Sequence, residues 1–110
     1  MRFFVTLKCL CIGLICLGLT ACAMNSLNLR EGIYNFKQQN YRTAFVRLMP
    51  EAEKGNPDAQ YAVGYMYYYG EGVVEDKKKA AKWINKAAKA DNKDAIEAAK
   101  LLWQEERHPY

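Results

Sequence analysis

Past residue 22 this chain has no cysteine, and in all of its 110 residues it has one serine, Ser26, and one histidine, His108. Without thiols there, no disulfide framework can staple the body of the sequence. Ser26 sits in a polar stretch and His108 near the C-terminal end, so no Ser/His or Cys/His couple can assemble on a rigid support. A zinc site would lack imidazole and thiolate ligands, and neither a metal nor a cofactor is expected. Proline is scarce, at three residues. The longest apolar run, Cys9 to Leu19, is eleven residues, against about 20 for a membrane-spanning helix. What the chain does have is ordinary for a globular protein: 51% hydrophobic and 25% charged residues with a net charge of +4. That composition fits one small domain and argues against a disordered or multi-span chain.

The four cysteines, Cys9, Cys11, Cys16 and Cys22, all fall in the first fifth of the sequence. Arg2 and Lys8 precede the apolar run, which is the layout of a secretory signal over residues 1–21. The run closes on Leu19-Thr20-Ala21-Cys22, which resembles the lipobox of bacterial lipoproteins. Small side chains give a peptidase access to the scissile bond, and the thiol is the group that can form a thioether to lipid. The resemblance implies palmitate-type acylation of Cys22, and Ala23 after it leans towards the outer membrane of the bacterial cell envelope. Two alternatives stay open: cleavage after Ala21 or Ala23 with Cys22 a bystander, and an uncleaved N-terminal anchor. Residues 22–27 would then be a lipidated tether. Its five residues after Cys22 reach about 17 Å at about 3.5 Å each, which keeps the domain close to a membrane. Loss of Arg2 and Lys8 with the signal leaves a net charge of +2, too small an excess to imply a nucleic-acid partner.

The body of the sequence repeats with a period of 36. Ala52-Glu53-Lys54-Gly55-Asn56-Pro57-Asp58-Ala59 returns as Ala88-Lys89-Ala90-Asp91-Asn92-Lys93-Asp94-Ala95, and Ala44 and Leu48 return as Ala80 and Ile84. Small residues spaced by four form one stripe of a helix, so the repeating unit is helical. The spacing predicts a helix from Pro57 to about Tyr69 and a second from about Lys77 to Ala90. Upstream, Leu29, Ile33 and Phe36 form one amphipathic stripe and Tyr41, Ala44, Phe45, Leu48 and Met49 the next, which Pro50 is expected to end or bend early. A closing helix begins near Lys93, with Ala95, Ala98, Ala99, Leu101, Leu102 and Trp103 as its apolar positions.

The central unit carries Ala59, Val63, Gly64, Met66, Tyr67, Gly70, Gly72, Val73, Asp76, Ala80, Trp83, Lys86, Ala87 and Ala88 at fixed spacing. The pattern resembles a Sel1-like repeat, a relative of the tetratricopeptide repeat. It covers one full unit, a partial unit over Leu29 to Gly55 with a shorter inter-helix turn, and the helix after Lys93. The glycine usual after the paired alanines is Asp91 here. The resemblance implies an all-α solenoid of antiparallel hairpins, about five helices, over residues 28–106, with a flexible tail at 107–110. The motif residues serve the fold. Gly64 admits a neighbouring helix, Gly70 and Gly72 let the chain turn, Asp76 caps the next helix, and Trp83 fills the volume that Ala87 and Ala88 leave.

Two surfaces remain as binding candidates. Tyr61, Tyr65 and Tyr68, with Tyr69 beside them, form a stripe opposite Val63 and Met66, at positions that the repeat pattern leaves variable. Tyrosine buries apolar area at low entropic cost while tolerating water, which suits an interface; the alternative packs these rings on Phe45 and Met49. Lys78, Lys82, Lys86 and Lys89 line the outer side of the tryptophan helix and could face peptidoglycan or anionic lipid, or form a plain solvated face. Glu71, Glu75 and Asp76 cluster in the Gly-rich turn, where solvated and capping residues are needed anyway, so they do not argue for acid catalysis. These residues predict an adaptor without enzymatic activity. It holds a protein or peptide in the envelope, with no small-molecule substrate and a membrane reached through its N-terminal lipid.

Overall fold

The computed structural model describes residues 27–107. They form five helices and no strand: α1 over 27–37, α2 Tyr41–Glu53, α3 Pro57–Tyr69, α4 Lys77–Lys89 and α5 Lys93–Arg107. The connectors are short, so each helix folds back on the one before it, α2 on α3, α3 on α4 and α4 on α5. This is an all-α stack of helical hairpins.

The helix ends repeat as the sequence does. The side chain of Asn56 accepts from the Ala59 amide at 3.1 Å, and 36 residues later Asn92 accepts from the Ala95 amide at 2.9 Å. Between them Asp76 accepts from the Lys79 amide at 3.0 Å. Each satisfies an amide that the first turn leaves without a helical partner. Gly55 ends α2 with φ +102°, and Asp91 stands in the matching place after α4 with φ +63°, where an L-residue is strained.

The core is built from small residues on α2 and α3. Ala44, Leu48, Ala52, Ala59, Val63 and Met66 are almost wholly buried, and Trp83 of α4 closes over them. A second cluster joins Ile84 and Ala87 of α4 to Ala95 of α5, with Tyr61, Ala98 and Leu102 packed on it. Close approach requires glycine at two interhelical sites. A Cβ on Gly64 would lie 2.6 Å from the Ile84 side chain and 3.2 Å from the Ala80 carbonyl; one on Gly32 would lie 2.5 Å from Leu48. Gly32 and Gly64 are equivalent despite their 32-residue separation, because the α1–α2 connector is four residues shorter than the α3–α4 connector. Arg47 ties α2 to α1 through Glu31 at 3.4 Å and Asn28 at 3.1 Å.

Pro50 does not end the helix, since α2 continues through it to Glu53. A proline at 50 removes the donor for the Val46 carbonyl. Val46 is 67% exposed and Pro50 is exposed too, so water can serve that oxygen. The last turn is then closed by Lys54, whose amide donates to the Pro50 carbonyl at 3.1 Å, and by the Gln60 side chain, which donates to the Ala52 carbonyl at 3.1 Å.

Candidate functional site

The 36-residue period places α3 and α5 at equivalent positions of successive hairpins, and their facing sides enclose a cleft of about 270 Å³. Tyr61, Tyr65, Tyr68 and Tyr69 of α3 make one wall. Asp94, Glu97, Ala98, Leu101, Leu102 and Glu105 of α5 make the other, with Ile84 of α4 at the base. The two walls are in register: Tyr61, Tyr65 and Tyr69 recur 36 positions later as Glu97, Leu101 and Glu105.

The four tyrosines differ in setting. Tyr61 packs into the α4–α5 cluster. Tyr65 stands edge-on to Phe36 of α1 at 5.3 Å and lies 4.7 Å from Tyr69. Tyr68 donates its hydroxyl to Glu105 Oε2 at 2.8 Å, which spans the cleft. Tyr69 is 58% exposed and touches the Tyr68 ring at 4.9 Å. The ring that packs on Phe45 is Tyr67, at 5.5 Å, because it projects to the α2 side of α3 while the stripe turns towards α5.

The electrostatics of the cleft are negative. Burial pushes the Tyr61 phenol above its ordinary value near 10, and the Asp94 carboxylate adds to the shift. Burial also raises Tyr65. For Tyr68 the hydrogen bond to Glu105 is the leading cause of a rise. In each case the neutral phenol is favoured where a phenolate would be desolvated or repelled.

The other sequence-derived residues lie away from the cleft. Lys78, Lys82, Lys86 and Lys89 are all exposed on α4, and Lys86 places its ammonium 4.7 Å over the Trp83 ring. Gly70 (φ +65°) and Gly72 (φ +73°) shape the α3–α4 turn; Ala87 is fully buried and Ala88 half-buried. Glu71 and Glu75 do not line the cleft. Cys22, the segment 1–21, most of the tether and His108 lie outside the described residues. Among the described residues no group of His, Cys, Asp or Glu is placed to hold a metal ion, and no helix is long and apolar enough to cross a membrane.

The α5 wall is absent from the sequence-based expectations. Its acidic residues become visible when the tyrosine stripe is carried forward by one period, which lands on Glu97 and Glu105.

The Sel1 repeat family model matches residues 57–92, the span from the first residue of α3 to the cap of α5. The fold is similar to the crystal structure of a Sel1 repeat protein from Oxalobacter formigenes, with a TM-score of 0.64 and 34% sequence identity over 71% of this chain. The alignment covers 24% of that protein, so this chain spans about a quarter of its length. A search of curated proteins finds no match. Shared repeat spacing, close-packing glycines and hairpin stacking lead to one conclusion: the chain carries a Sel1-like repeat over residues 57–92, within a fold similar to that of a Sel1 repeat protein.

Proposed function

We propose that this chain is a lipid-anchored adaptor of the bacterial cell envelope, holding a protein or an extended peptide in the cleft between α3 and α5. Sel1 repeats generally mediate protein–protein interaction. The observation that carries the reading is the cleft itself. It is open, walled by tyrosines and faced by Leu101, which is 61% exposed, so it offers apolar area and hydroxyls to a partner without needing to unfold. A pull-down from envelope extracts tests it, comparing the unaltered chain with Tyr69→Ala/Leu101→Ala. Both side chains are exposed, so helicity should persist while the partner is lost. Undiminished recovery overturns this surface.

The anchor rests on Leu19-Thr20-Ala21-Cys22, and outer-membrane placement on Ala23 after it. Metabolic labelling with a fatty acid should mark the unaltered chain and not Cys22→Ala; equal labelling, or none in either, contradicts lipidation.

A second reading has one favourable observation: Lys78, Lys82 and Lys89 are exposed and make no ion pair among the described residues. Through this face the protein would contact peptidoglycan or anionic lipid. Co-sedimentation with purified cell wall should then weaken steeply as salt rises, and no co-sedimentation at low salt rejects it.

A further inference from the structure

The adaptor reading leaves the chemistry of the partner open, and the cleft is chemically one-sided. Asp94, Glu97 and Glu105 line the cleft from α5, with Leu101 on the turn between Glu97 and Glu105. No described residue that lines the cleft is basic. Asp94 and Glu97 form no ion pair among the described residues, and Glu105 engages one oxygen with the Tyr68 hydroxyl. On the opposite wall stand Tyr65 and Tyr69, and aromatic rings attract cations. The fold already uses that attraction on the neighbouring surface, where Lys77 holds its ammonium 5.0 Å from the Tyr68 ring.

We propose that the cleft receives a basic side chain, arginine or lysine, of an extended peptide, its charge held by Glu97 and Glu105 and its stem laid on Tyr65 and Tyr69. This rests on the adaptor reading and narrows it. The volume of about 270 Å³ lies just below the range of drug-sized sites, about 300 Å³ and up. It admits one long side chain rather than a folded element. Charge complementarity selects the occupant. An acidic side chain would be repelled by Glu97 and Glu105 and a neutral one would leave them without a counter-charge, whereas a guanidinium or ammonium supplies it. The exposed lysines of α4 repel the same peptide, so attraction is confined to the cleft.

The test titrates the full chain with blocked pentapeptides that carry arginine, lysine or citrulline at the centre, and reads backbone and methyl chemical shifts. Arginine and lysine peptides should shift residues of α3 and α5 around Tyr69, Ala98 and Leu101, and citrulline should bind about tenfold more weakly or worse. Glu97→Gln/Glu105→Gln, at positions outside both core clusters, should remove the preference while leaving the helical spectrum intact. Equal affinity for citrulline overturns the charge assignment and leaves the adaptor reading standing. No shift in the cleft with any peptide overturns the assignment too; the adaptor reading is then judged separately by the pull-down. Concentration-dependent shifts without peptide, linking the cleft to the α4 lysines, would make the occupant a second copy of this chain and likewise overturn it.

Discussion

At Gly72 the backbone of α2 comes so near that an added Cβ would lie 2.6 Å from the Tyr41 carbonyl carbon and 2.7 Å from the Arg42 nitrogen, at φ +73°. Backbone cannot swing aside, and the conformation itself opposes an L side chain. Gly72→Ala should therefore cost about 3 kcal/mol in urea unfolding. Gly64→Ala should cost less, about 1–2 kcal/mol, because its closest obstacle is a side-chain atom, Ile84 Cγ1, and the nearest backbone atoms stand off at 3.2 Å. Asp91 offers the converse. Its φ of +63° suits glycine, so Asp91→Gly should raise stability by about 0.5–1 kcal/mol, and an unchanged or lowered midpoint would deny the strain. The tyrosines add a pH signature. Folded-state values of Tyr61, Tyr65 and Tyr68 lie above those of the unfolded chain. Their contribution is fully present below about pH 10 and is lost as pH rises through the elevated values. Alkaline titration by near-ultraviolet absorbance should show late-ionising phenols, and Glu105→Gln should bring Tyr68 down.

Among the helices, α5 is held differently from the rest. It packs on α4 and its first turn depends on Asn92, which caps the Ala95 amide and also donates to Asp58 of α3 at 2.8 Å. Asn92→Ala should cost about 1 kcal/mol, and hydrogen exchange should quicken in α5 while α2 and α3 keep their protection, as nearest-neighbour stacking dictates. Uniform acceleration would mean one cooperative unit. The bounds of α3 were legible from Asn56-Pro57 and from Gly70, because a cap, an N1 proline and a left-handed glycine act locally. Whether Pro50 ends α2 was not legible, because that depends on whether the Val46 carbonyl can reach water, which is a property of packing. The tyrosine stripe was legible as a helical face. What it faces was not, because an opposing wall 36 residues away is a tertiary fact, recoverable only by carrying the repeat onto α5.

Across the whole molecule, stacked hairpins separate two charges: carboxylates and tyrosines line the inner cleft, and Lys78, Lys82, Lys86 and Lys89 stand exposed on α4. A repeat array gives this separation naturally, since equivalent positions of successive first helices share one side. The adaptor reading assigns the partner to the cleft and leaves the lysines to solvent or to the envelope surface. Site-specific photocrosslinking in living cells distinguishes these sides most directly, with the photoreactive residue placed at Leu101 in one strain and at Lys82 in another. Polypeptide adducts from position 101 that disappear with Tyr69→Ala are the expected result. Polypeptide adducts from position 82 with none from position 101 would contradict the account.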